Sequence, residues 1–141
     1  MFYDNKSKYI ALIEDLGVKN QVILHSDFIS AEKVKNYFCA SDIVVQPYLS
    51  ATQSGVSMVA YNFNKPMVLT NVGGLSEYVN DKVDGYLVDV KKQAIISALE
   101  DYYKNKKEKQ FVDAIKNKKS SYSWGNLAGQ FDLLYNKLNH V

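Results

Sequence analysis

The sequence has no long apolar run, one cysteine, two histidines, and neither of the glycine spacings that mark the common nucleotide-binding loops. Each absence removes a class of protein. The apolar stretches fall far short of the ~20 residues a bilayer-spanning helix needs, and no charged-then-apolar leader opens the chain. The expected setting is therefore the cytoplasm. With Cys39 as the sole cysteine no internal disulfide framework can form, and His25 and His140 are too few to complete a cysteine-histidine zinc site. No metal and no cofactor is expected. The net charge of +2 gives no electrostatic case for nucleic acid as a partner. Neither a P-loop nor a dinucleotide fingerprint is present.

What remains is a soluble globular composition: 141 residues, 47% hydrophobic and 23% charged, enough for one domain with a real core. Residues 1–141 are read as a single α/β domain. No internal repeat and no long linker interrupts it. Lysine is concentrated late, in KNKKEKQFVDAIKNKK (104–119). Such a run is read as a solvated face, with peripheral contact to acidic lipid at the inner face of a membrane as the alternative.

Short β-branched runs alternate with amphipathic segments, which predicts a Rossmann-like parallel sheet of about four strands with helices on both faces. The expected strands are QVILH (21–25), DIVVQ (42–46), PMVLT (66–70) and GYLVD (85–89). Tyr9, Ile13 and Leu16 line one helical face, and Gly17 supplies a left-handed stop. Ser30 is placed to cap the next helix, with Ile29 and Val34 at hydrophobic-staple spacing. Val56, Val59, Ala60 and Phe63 recur at helical spacing, so a helix begins close to Ser54. Ile95, Leu99 and Tyr102 form a similar stripe. Ser123 is read as the cap of a final helix carrying Trp124, Leu127, Phe131, Leu134 and Leu138, with Trp124 assigned to packing.

Ligands of open parallel sheets sit beyond the carboxyl ends of the strands, where loops enter helices. Two glycine-containing turns fall there. In SATQSG (50–55) the N–H groups near Ser54, Gly55 and Val56 are expected to point at an anion, with Thr52, Gln53 and Ser54 as further polar groups. In TNVGG (70–74) Gly73 and Gly74 are free to adopt positive φ. Two such loops in one layer suit a diphosphate. The same residues also serve as N-caps and turn formers, which is the alternative.

Over residues 20–90 the chain resembles the C-terminal, nucleotide-sugar-binding half of the GT-B glycosyltransferases of family 4, the retaining group 1 transferases. VILHSDFISAEKVKNYFCASDIVVQPY, KPMVLTNVGGLSEYV and DGYLV appear in the family's order. The resemblance implies a partial GT-B C-terminal domain of a retaining hexosyltransferase, with a nucleoside diphosphate sugar as donor substrate and a glycan or lipid-linked acceptor. It also implies a substrate-binding set of Thr52, Gln53, Ser54, Gly55, Gly73, Gly74, Glu77 and His25. Glu77 matches the acid after the family's Gly-Gly turn. His25 and Asp27 follow an expected strand and face the base or ribose, a solvated histidine being the alternative. The family's two loop glutamates would fall at Ala51 and Val59, so no catalytic residue is assigned, and TQSG looks like a variant of that loop. The family's diphosphate-neutralising Arg and Lys have no counterpart upstream. Hence the first two strands of the donor half and the N-terminal acceptor domain are expected outside this sequence, leaving the chain inactive alone. A noncatalytic nucleotide-binding or interaction module on the same fold is the alternative.

Overall fold

The computed structural model describes residues 6–121 and 124–139. They fall into two compact units, Met1–Asn36 and Tyr37–Val141.

In the first unit, α1 (Lys6–Asp15) ends as its sequence dictates. Gly17 has φ +66°, its N–H donates to the Glu14 carbonyl at 2.9 Å, and the Val18 N–H donates to Ile13 at 3.1 Å. This pair of bonds satisfies the last carbonyls of the helix through a residue that needs no Cβ. The strand expected at 21–25 does not form. Lys19–Gln21 is a single 3₁₀ turn, residues 22–26 are not part of a strand, and Ile23 is 84% exposed. A β-branched run becomes a strand only when a neighbouring backbone takes its N–H and C=O groups. α2 (Ala31–Ala40) follows Ser30, whose carbonyl accepts from Lys33 and Val34, and the boundary between the units falls inside this helix.

The second unit is built on three parallel strands, β1 (Val44–Gln46), β2 (Met67–Thr70) and β3 (Gly85–Val88), in the order β1-β2-β3. The register pairs Gln46 with Leu69 and Leu69 with Leu87. All four residues of β2 are buried, as a central strand covered on both faces requires. Side chains alternate across it. Met67 and Leu69 join Ala60, Leu75 and Val79 in one cluster, and Val68 joins Tyr86, Ala98, Tyr102 and Phe111 in the other. The first face is covered by α3 (Gly55–Asn62) and the 3₁₀ segment Gly73–Glu77, the second by α4 (Lys92–Lys104) and α5 (Glu108–Ser121). The outer edge of β3 is blunted locally: the Leu87 N–H donates to Asp81 Oδ1 at 3.0 Å and the Lys82 N–H to the Gly85 carbonyl at 2.7 Å.

The lysine-rich run 104–119 covers the end of α4, a turn and most of α5, and it is not wholly solvated. Phe111 and Ile115, one turn apart, are 0% and 1% exposed. Lys118 Nζ lies 3.2 Å from Asp84 Oδ2, whose side chain is 2% exposed, and also donates to the Tyr78 carbonyl. Lys119 donates to the carbonyl of Asn62, the last residue of α3. Long lysine stems lie along apolar surface while their ammonium groups find acceptors, so a charge run conceals a packed face. α6 (Trp124–Asn139) carries the expected stripe, but Leu127, Phe131, Leu134 and Leu138 are all exposed. The expected cap at Ser123 and the packing of the Trp124 side chain lie outside the described residues.

Candidate anion-binding site

Because the strands are parallel, β1 and β2 end at the same edge of the sheet, and the loops after Gln46 and Thr70 leave side by side. The Thr70 hydroxyl ties them: it donates to the Tyr48 carbonyl at 2.6 Å, with the Gln46 carbonyl at 3.4 Å. The second loop then turns back at once through a Val72 N–H to Thr70 carbonyl bond. Gly73, at φ +50°, sits against the first loop so closely that a Cβ would overlap the Ala51 carbonyl oxygen, and one on Gly74 would overlap that of Thr52. Here glycine is required by backbone stacked on backbone, in addition to positive φ.

The first loop delivers its chain into α3 through Ser54. Its hydroxyl accepts from the Ser57 N–H at 3.1 Å and caps the helix, the role the sequence left as the alternative for this residue. The same hydroxyl donates to Gln46 Oε1 at 2.8 Å, and the Ser57 hydroxyl donates to that oxygen at 3.2 Å. The buried face of α3 is therefore Ser57 and Ala60, while Val56 is 44% exposed. This differs from the expected Val56-Val59-Ala60-Phe63 face. Two hydroxyl protons with one buried acceptor fix the helix rotation more stringently than a valine methyl does, since a misdirected buried hydroxyl loses its bond outright.

The N–H groups of Gly55 and Val56 belong to the first helical turn and have no intrahelical partner. Around Gly55 the space is open: a Cβ there would meet nothing within 4 Å. No charged side chain occurs in 43–64 or 66–76, and all 17 basic residues of the chain are lysines. Along these two segments this edge therefore favours an anion through backbone amides and a helix N-terminus. It contains no guanidinium fork for bidentate phosphate contact.

The structure brings Thr52, Ser54, Gly55, Gly73 and Gly74 into two abutting loops, with Gln53 exposed beside them. Ser54 is 5% exposed and its proton is directed inward to Gln46, so it shapes the turn. Glu77 is exposed at the end of the 3₁₀ segment, lining a depression of about 520 Å³ with Met58, Tyr61, Tyr78 and Lys118. His25 belongs to the first unit, where it too is exposed. Gln46, Ser57 and Thr70 were missed as parts of the site. The available signal was a polar residue closing an otherwise apolar strand, in DIVVQ and PMVLT alike. Among the described residues, no group of three or more His, Cys, Asp or Glu is placed to hold a metal ion, and no helix is long and apolar enough to cross a membrane.

Residues 3–120 match the family described as glycosyl transferases group 1. The chain belongs to that family. A D-inositol 3-phosphate glycosyltransferase of Paenarthrobacter aurescens is 38% identical over 77 residues, covering 55% of this chain and 19% of that protein. An uncharacterised glycosyltransferase of Methanocaldococcus jannaschii is 29% identical over 122 residues, covering 83% of this chain and 30% of the other. Among solved structures, the sucrose-phosphate synthase of Thermosynechococcus elongatus superposes with a TM-score of 0.72 at 20% identity, over 95% of this chain and 34% of that one. Anabaena HepE, solved in complex with UDP, gives 0.69 at 18% identity over 96% of this chain and 36% of that one. These two share the fold, the α/β architecture of GT-B glycosyltransferases. The group 1 chain described here therefore spans between about a fifth and about a third of the length of these proteins.

Proposed function

We propose that this group 1 glycosyltransferase chain contributes part of the donor site of a retaining hexosyltransferase, binding the diphosphate of a nucleoside diphosphate sugar at the edge formed by residues 50–56 and 70–74. The single observation that carries this is the pair of glycine turns locked backbone to backbone beside an open, uncharged helix N-terminus.

Transfer of a glycosyl group breaks the bond between the anomeric carbon and the phosphate oxygen, and negative charge grows on the departing diphosphate. Amides fixed in advance stabilise that charge more as it develops than in the bound ground state, which is what accelerates the step. Gly55, Val56, Gly73 and Gly74 supply neutral donors of this kind. The cationic share, and the acceptor site for a glycan or lipid-linked acceptor, come in this proposal from the remainder of a longer parent protein, an N-terminal acceptor domain included. The TQSG loop replaces the acid of related loops with amide donors, and the chain by itself does not turn over. A cytoplasmic setting completes the proposal, with peripheral contact to the inner face of a membrane through the exposed Lys109 and Lys116 of α5 as the alternative.

A titration of the chain with a panel of nucleoside diphosphates, followed by amide NMR, tests the site. Shifts confined to 50–56 and 70–77 are expected; unchanged spectra at millimolar ligand defeat the proposal. The absence of carboxylates at Ala51 and Val59 favours a second reading, a noncatalytic nucleotide-binding module. Sugar transfer by the full-length parent, assayed with labelled nucleotide sugars, separates the two.

A further inference from the structure

We draw no further inference here: the strongest candidate, the exposed apolar stripe of Leu127, Phe131, Leu134 and Leu138 on α6, carries nothing because nothing in the structure shows what covers it.

Discussion

The two faces of β2 are held by different physics. On the side of α4 and α5 the cluster is aromatic: Phe111 packs edge-on to Tyr86 at 5.1 Å and tilted to Tyr102 at 6.1 Å, and the Tyr102 hydroxyl donates to the Asp42 carbonyl. On the side of α3 the apolar residues are smaller, and Gln46, Ser54 and Ser57 are buried among them. Volume and dispersion dominate the first face. The second face adds directional hydrogen bonds, from Ser54 and Ser57 to Gln46, to its apolar packing, and it is the face beside the two loops. Stability and site geometry are therefore separable in this domain, and substitutions can show it.

Phe111→Ala opens a large cavity in the aromatic cluster and should cost about 3–5 kcal/mol, read from urea denaturation. Where the variant is still folded, its UDP shift pattern should match wild type; altered shifts at 50–56 would show that the faces are coupled. Gly73→Ala should be the next largest effect, about 2 kcal/mol or more, because the residue sits at φ +50° and its new methyl overlaps the Ala51 carbonyl. Unlike Phe111→Ala it should abolish UDP shifts in any folded fraction, since the loops must separate. Gly55→Val should change stability by no more than about 1 kcal/mol, the space around it being open, yet it should abolish turnover of the full-length parent. A fully active, well-folded Gly55→Val protein would remove Gly55 from the site.

The smallest effect concerns the aromatic face alone and appears only in alkali. Burial, followed by nearby Glu108, pushes the Tyr102 hydroxyl up to about 12. Burial also raises Tyr86, reinforced by its 2.5 Å bond to Asp101. Both phenols ionise in the unfolded chain near ~10, so the stability they contribute is complete below that pH. It is lost as pH rises through their folded-state values. The slope of stability against pH between about 10 and 12 should therefore be shallower in Tyr102→Phe, while the UDP shifts at neutral pH stay unchanged.

Much of the fold was legible because its signals are local. The stop at Gly17 needs only one residue able to take positive φ, and the start of α3 needs only Ser54 and the periodicity after it. PMVLT reads as a covered strand because it is apolar throughout. The site was legible at coarser grain: strand-end glycines and hydroxyls marked the right edge, but spacing does not say what a glycine faces. Gly73 faces the Ala51 carbonyl, and Ser54 turns its proton to a glutamine eight residues away.

The sequence by itself therefore determined the alternation of helices and strands, where α3 begins, and the absence of charge along the two loops. Tertiary structure alone decided that residues 21–25 form no strand, that α3 rests on Ser57 in place of Val56, and that Lys118 answers the buried Asp84. The physical reason is that periodicity and capping are properties of neighbours along the chain. The acceptor of a buried proton, the partner of a strand and the counter-charge of a carboxylate are supplied by residues the chain brings close only on folding.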